Sequence, residues 1–329
     1  MRIEQNFSLE NYNTFRLPVK TRWFMEYENE EELQRILRDE YFQELCSLHI
    51  GRGSNLLFLN DYNGIILHSA IKGTDTIFET ESTVLLRIGA AEIWDDVVAY
   101  AVANGWGGIE NLSLIPGEAG AAAVQNIGAY GVEIKDVIES VEACNQLTFE
   151  KKTFTSEACR YAYRHSYFKD EHHDPYIITH ITLRLQKNPG FKLSYADLKE
   201  KLAGFERLTP LLVRNAVMDI RREKLPDPEE IGNAGSFFMN PVVSQERYEK
   251  LKQNDPSIPA YFSKDGQIKL SAGWLIDQCG LKGKRFDTVG IYEKQALVIV
   301  NLGNATGHEI ALLAEHIRNE VEQRFGILL

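Results

Sequence analysis

The seventeen residues Ile115–Gly131, IPGEAGAAAVQNIGAYG, contain four glycines and five alanines. An amphipathic helix or strand buries a face of larger apolar side chains, so neither requires this composition. Small residues clear space for backbone to lie against something flat or bulky. Gln125 and Asn126 add amide donors and acceptors. Two structures satisfy the stretch: a close-packed backbone crossing, or a segment wrapped around a large ligand.

Three further stretches bear on that choice. In IGRGSNLLF (Ile50–Phe58) an apolar run feeds a glycine turn carrying Ser54 and Asn55. Such a turn lets backbone N–H groups approach an anion such as pyrophosphate. The spacing is neither G-x-x-x-x-G-K-[ST] nor G-x-G-x-x-G, so an ordinary tight turn is the other reading. CRYAYRHSYFK (Cys159–Lys169) gathers aromatic and cationic side chains around Arg164. An arginine fork suits carboxylate or phosphate, although a solvated basic strand reads the same way. GNAGSFFMNP (Gly232–Pro241) places Ser236 outside any G-x-S-x-G elbow, with no His or Asp at a telling spacing. Ser236 is either a turn hydroxyl bonding its own backbone or a proton donor held dry beside a carbanion. Lys224 lies twelve residues upstream.

Composition removes several classes. The 329 residues suit two domains. A net charge of −11, from 47 acidic against 36 basic residues, argues against a nucleic-acid partner. The four cysteines, Cys46, Cys144, Cys159 and Cys279, form no C-x-x-C and read as reduced thiols. MRIEQNFSLE lacks the apolar core of a signal peptide, and no apolar run approaches membrane-spanning length. A cytoplasmic soluble protein with no membrane partner is expected. The eight histidines show no ligand spacing, so no metal is expected, and HHD at 172–174 reads as a solvated loop.

Periodicity places the elements. Asn29–Leu45 reads as one helix, capped by Asn29, with Leu33, Ile36, Leu37 and Tyr41 on one face. EIWDDVVAYAVANG reads as a helix stopped by Gly105, and YIITHITLRLQ as a half-buried strand. NPG at 188–190 marks a boundary after Lys187. Beyond it come a helix entered through Thr209 and Pro210, and a last helix with the capping box Thr306/Glu309 and the stop Gly326. The final ILL reads as the start of a strand. From these features alone the chain is an α+β enzyme that binds a large phosphorylated cofactor.

The ordered set NTFRL, GRGSNLLF, ENLSLIPGEAGAAAVQNIGAYGVE, YRHSYFK, KLPDP, NAGSFFMNP, KLSAGWLIDQCGLKG and QALVIVN resembles the UDP-N-acetylenolpyruvoylglucosamine reductases, or UDP-N-acetylmuramate dehydrogenases. The longer type, with a substrate-closing tyrosine, fits best. The likeness runs from about Asn13 to the last residues. Each piece alone is unspecific; the set is not. It implies an α+β fold: an FAD-binding domain of the vanillyl-alcohol-oxidase or p-cresol-methylhydroxylase type over residues 1–187, then an α+β UDP-sugar domain over 188–329.

The resemblance also implies roles. Gly51, Arg52, Gly53, Ser54, Asn55 and Leu56 would hold the FAD pyrophosphate. Pro116, Gly117, Gly120, Ala121, Gln125, Asn126 and Gly128 would wrap the flavin. Tyr195 would close over the substrate, with Arg164, Lys224, Asn240 and Gln295 binding it. NADPH would reduce FAD and leave. UDP-N-acetylglucosamine enolpyruvate would then take a hydride from flavin N5 at its methylene carbon. Ser236 would protonate the adjacent carbon while Arg164 stabilises the enolate, giving UDP-N-acetylmuramate for peptidoglycan synthesis. A monomer is expected.

The chain departs from the family pattern at four positions. Glu118 and Ala119 stand where Thr-Val is common, His165 where Asp is usual, and Met239 where Lys is common. The family also carries a glutamate segment beyond FGILL, one carboxylate of which joins the serine and arginine. Two expectations follow: a chain clipped before that segment, or a flavin- and UDP-sugar-binding protein with poor turnover.

Overall fold

The computed structural model describes residues 1–170, 175–262 and 266–329. The chain forms two compact units that interleave in sequence. The first comprises residues 1–8, 20–53 and 61–221, and the second residues 9–19, 54–60 and 222–329. The separation does not fall after Lys187 as expected. Residues 188–221 stay with the first unit because the helices Ala196–Leu202 and Pro210–Lys224 pack Leu198, Leu202, Val213, Val217 and Ile220 into an apolar cluster with Tyr130 and Phe191.

The first unit holds two sheets. One runs Arg2–Ser8, Lys20–Tyr27, Tyr62–Ser69, Ser47–Ile50, with its last three strands parallel. The other is antiparallel, in the order Lys151–Thr155, Ile138–Asn145, Tyr176–Gln186, Thr83–Gly89, Thr74–Glu79. Its core packs Leu86, Ile88, Val141, Ile181 and Leu183 against Trp94, Val97 and Val98 of the helix Trp94–Ala103. Trp94 is fully buried, and its Nε1 donates to Leu112 O at 3.0 Å, so the indole leaves no orphaned donor. The second unit has a four-stranded antiparallel sheet, Asn233–Ser236, Val298–Asn301, Val289–Ile291, Arg285–Phe286, and a three-stranded one, Val242–Val243, Ile268–Leu270, Ala260–Phe262. The helix Gly307–Phe325 carries the expected capping box at Thr306 and Glu309, and Gly326 closes it at φ 60°.

Three local expectations differ from what forms. The helix from Asn29 ends at Arg38, and a second short one spans Glu40–Gln43. Asp39 divides them because its carboxylate accepts from Tyr41 N at 3.1 Å, which makes it a cap rather than a helical residue. Tyr41 is consequently exposed. Tyr176–Gln186 is central in its sheet, and Ile178 and Thr182 are buried along with the face carrying Ile181 and Leu183. Irregularities of register at Ile178/His180 and Thr182/Leu183 break the simple alternation. Ile327–Leu329 is not a strand, although Ile327 is buried.

Ile181→Ala is expected to cost about 2–5 kcal/mol in urea unfolding, as cavities at fully buried positions do. Leu312→Ala, on an exposed face of the last helix, should stay within about 0.5 kcal/mol. Equal losses would show that the sheet core does not carry the stability assigned to it.

Candidate functional site

The small-residue stretch contains a helix, Ala119–Gln125. Sequence periodicity missed it because alanine offers no apolar stripe, although it is the best helix former. A Cβ built on Gly120 would lie 2.8 Å from Ala90 Cβ. Gly120 N donates to Ala90 O at 2.9 Å and Ala119 N to Glu92 O at 2.9 Å, so the helix is joined through backbone to the end of the strand Thr83–Gly89. The composition therefore serves a close-packed crossing within the protein.

The same stretch also meets the glycine turn. A Cβ on Gly51 would lie 2.9 Å from Glu118 Oε2 and 3.3 Å from Ala121 Cβ. Gly53 (φ 64°) and Gly117 (φ 128°) adopt backbone that L side chains rarely take. Gly51, Arg52 and Gly53 belong to the first unit; Ser54, Asn55 and Leu56 belong to the second.

The approach to this stretch is clamped. Asp95, in the first turn of the helix Trp94–Ala103, accepts two bonds from the Arg214 fork, at 2.7 and 2.8 Å, and one from Leu114 N at 2.6 Å. Burial works against the Asp95 charge, but the Arg214 fork and the Leu114 N–H outweigh it and hold the carboxyl below the usual aspartate value.

Arg164 stands at the tip of a two-residue turn closed by Ala162 N to His165 O (3.0 Å) and His165 N to Ala162 O (3.1 Å). Its φ is 56°, an uncommon conformation for a non-glycine residue and one that costs about 1–3 kcal/mol. Nη1 donates to Asn126 O at 3.1 Å and Nη2 to Gly128 O at 2.7 Å. Among the described residues the guanidinium meets these carbonyls and the Tyr163 ring rather than a carboxylate, so its charge is held without being cancelled. Asn126 is fully buried at φ 44°, and its amide donates to Glu133 Oε2 and Ala162 O while accepting from Lys135 N. Gln125 Oε1 accepts from Lys169 Nζ at 3.1 Å. Arg164, Gln125, Asn126 and Gly128 thus form one cluster. His165 shapes it through backbone bonds in the turn.

Tyr195 is half-exposed, and its ring meets that of Tyr130 edge-on at 5.6 Å. Arg221 lies near Tyr130; its Nε is buried with no hydrogen-bond partner among the described residues. An orphaned guanidinium N–H is a group that an anionic ligand completes. The sequence offered no signal for Tyr130 or Arg221 beyond their residue types. Separately, Gly53 and Gly117, at φ values that L side chains rarely take, make the backbone of this unit fit a large phosphorylated cofactor.

In the second unit Ser236 ends the strand Asn233–Ser236 and is exposed. No described residue hydrogen-bonds its Oγ, so it is not the turn hydroxyl that local sequence allowed. The local turn is bonded instead by buried Asn233, whose Oδ1 accepts from Gly235 N at 2.9 Å. Asn240 Oδ1 accepts from Ala272 N at 3.0 Å, and Gln295 Oε1 from Leu297 N at 3.3 Å. Neither amide donor bonds another described residue. Lys224 ends the helix Pro210–Lys224, with an exposed side chain. The expected solvated loop at 172–174 lies outside the described residues. Among the described residues Glu30, Glu142 and His180 could hold a metal ion. Lys151 already pairs with Glu30, and Arg87 with Glu142. No helix among the described residues is long and apolar enough to cross a membrane.

Comparison with known proteins adds names to this geometry. A family model described as "UDP-N-acetylenolpyruvoylglucosamine reductase, C-terminal domain" matches residues 227–329, and one described as "FAD binding domain" matches 22–146. Proteins named UDP-N-acetylenolpyruvoylglucosamine reductase are similar along the whole chain. That of Porphyromonas gingivalis is 50% identical over 331 residues, covering 100% of this chain and 98% of the relative. That of Bacteroides fragilis is 44% identical, covering 99% and 97%. A solved structure of the reductase from Thermus caldophilus matches with a TM-score of 0.70 at 26% identity, covering 97% of this chain and 96% of the other.

Asp95→Asn is expected to destabilise the protein by about 2–3 kcal/mol at neutral pH, because the part-buried Arg214 loses its counter-charge. The folded carboxyl titrates below the unfolded one, so its contribution is complete above about pH 4. It is lost as pH falls through the lower folded value. The gap between wild type and variant should therefore close in strong acid. A gap of the same size at pH 3 and pH 7 would remove the carboxylate charge as its source.

Proposed function

The chain belongs to the UDP-N-acetylenolpyruvoylglucosamine reductase family, and we propose that it is the FAD-containing oxidoreductase that reduces UDP-N-acetylglucosamine enolpyruvate to UDP-N-acetylmuramate. The product is a peptidoglycan precursor. The single observation that carries the residue-level reading is Arg164. It is a strained cation aimed by two carbonyl oxygens of the small-residue stretch, with its charge uncancelled.

FAD, when bound, supplies a two-electron hydride store between NADPH and the enol ether. NADPH as the reductant is part of the proposal. Gly51, Arg52, Gly53, Ser54, Asn55 and Leu56 would hold the pyrophosphate. Pro116, Gly117, Gly120, Ala121, Gln125, Asn126 and Gly128 would lie along the flavin, with Gly117 allowing close backbone approach and Gln125 and Asn126 offering amide groups.

The chemistry left to the chain is charge and proton management. Reduction of the enolpyruvyl group builds negative charge on the carbon beside the carboxylate and on the carboxylate itself. Arg164 is pre-aimed at such charge, and preorganised donors need no reorganisation when it develops. Ser236 then gives its proton to that carbon. An alkoxide-forming donor is workable only against a strongly basic carbon, which is what the enolate provides. Lys224 and the free amide donors of Asn240 and Gln295 suit the diphosphate and sugar oxygens. Tyr195 would close over the bound substrate.

A flavin- and UDP-sugar-binding protein with poor turnover is the second reading. It is not favoured, because relatives similar over nearly the whole of both chains are named reductases.

Ser236→Ala should leave flavin bleaching by NADPH near the wild-type rate in anaerobic stopped flow. Re-oxidation by the enol ether should slow by several powers of ten. Equal loss in both half-reactions would contradict a proton-donor role. Arg164→Lys should be similarly severe on the second half-reaction, since an ammonium cannot span Asn126 O and Gly128 O with a planar fork. Wild-type turnover in that variant would remove Arg164 from the chemistry. A purified protein with no bound flavin would argue against the reading as a whole.

A further inference from the structure

A buried acid–imidazole–acid bridge lies behind the glycine turn. His68 Nδ1 is 2.9 Å from Glu26 Oε2, and Nε2 is 3.2 Å from Glu118 Oε1. The side chains of His68 and Glu118 are only 10% and 8% exposed, and that of Glu26 23%. Strand register puts His68 beside Glu26 on one side and beside Ile50, the residue before Gly51, on the other. The second oxygen of Glu118 occupies the space a Cβ on Gly51 would need. One imidazole thus joins the sheet to both small-residue segments assigned to the cofactor.

We propose that His68, held as an imidazolium between Glu26 and Glu118, is a positioning residue that locks the Gly51 turn against the Pro116–Gly120 segment and makes FAD retention depend on pH. This rests on the FAD reading above.

Two carboxylates facing the two ring nitrogens can both accept only when both nitrogens carry hydrogen. A neutral ring would satisfy one and turn a lone pair toward the other, inside a nearly dry space where like charges are costly. Burial works against the imidazolium, but hydrogen bonds and charge from Glu118 and Glu26 outweigh it and hold His68 above the usual histidine value. Among the described residues, the titratable or charged groups around it besides the two glutamates include His49, Tyr27 and Arg2. His49 is driven down to about 3 by burial and by His68, so it does not compete for the proton. Tyr27, whose hydroxyl bonds His49 Nε2 at 2.8 Å, is pushed up by burial and stays neutral. Arg2 pairs in register with Glu26 and hydrogen-bonds Glu4. The Phe24 ring lies roughly parallel to the imidazole, 6.1 Å away. A group raised on folding contributes fully below its unfolded value, near pH 6.5, and the contribution disappears as pH rises through the folded value. The bridge should therefore fail on the alkaline side.

The test follows FAD release from the holoenzyme by fluorescence between pH 6 and pH 9.5. Wild-type release should be flat near pH 6 and rise about tenfold at the alkaline end, as the charge that holds the bridge is lost. His68→Gln should release FAD at every pH at about the rate the wild type reaches only at the alkaline end, with the rise abolished. Glu118→Gln, which accepts from one nitrogen without needing the charge, should also flatten the profile. Nitrogen-15 histidine spectra of the wild type should show one doubly protonated ring persisting to higher pH than a free imidazole allows, and that signal should be missing in His68→Gln. A flat wild-type profile, or an unchanged rise in His68→Gln, overturns the proposal while leaving the FAD reading intact. Absence of flavin at every pH overturns the FAD reading instead.

Discussion

Gly120 lies so close to Ala90 that a single added methyl carbon would stand 2.8 Å from the alanine Cβ. That approach is what lets the helix Ala119–Gln125 bond through backbone to the end of a core strand. Real Cβ atoms do not pack at such a distance, and with Ala90 backbone at 3.3 Å the wall cannot retreat. The far end of the helix delivers Asn126 at φ 44°, and its carbonyl with that of Gly128 aims Arg164. The near end delivers Glu118 to Gly51 and to His68. The Arg164 cluster and the His68 bridge therefore both depend on an apolar close contact between small residues.

Around that contact, charge is placed and then kept there. Asp95 uses both oxygens on Arg214 and takes the Leu114 N–H as well, which pins the entry to the small-residue stretch. Arg164 is treated in the opposite way: among the described residues it is bonded to neutral oxygens, which fixes its direction without cancelling its charge. Lys169, close by, is held below the usual lysine value by burial and by the Arg164 charge. The Asp95–Arg214 pair holds structure, whereas the Arg164 charge is available to a ligand.

Much of the fold was legible where side chains announce it. The capping box at Thr306 and the stop at Gly326 appear as read, because both are properties of a few consecutive residues. Thr209 caps the helix Pro210–Lys224, its Oγ1 accepting from Leu212 N at 3.2 Å. Asp39 shows the limit. An apolar face continues from Ile36 to Tyr41, yet one carboxylate bond to Tyr41 N was enough to break the helix. The helix Ala119–Gln125 was missed for the reverse reason, since its partner is backbone and leaves no stripe to read. His68 was missed because its two acid partners lie 42 and 50 residues away.

The sequence by itself determined the chemistry available: glycines where backbone must come close, an arginine and a serine in distinctive settings, and a family likeness carried by their order. These are local properties, set by residue type and near neighbours. Only the tertiary structure decided what each group does with its charge and its hydrogen bonds. It showed that Ser236 Oγ is not spent on its own turn, that Arg164 is aimed by carbonyls, and that Glu118 is shared between an imidazole and a glycine turn. Those facts depend on atoms brought together from far apart in the chain, and residue spacing does not encode such distances.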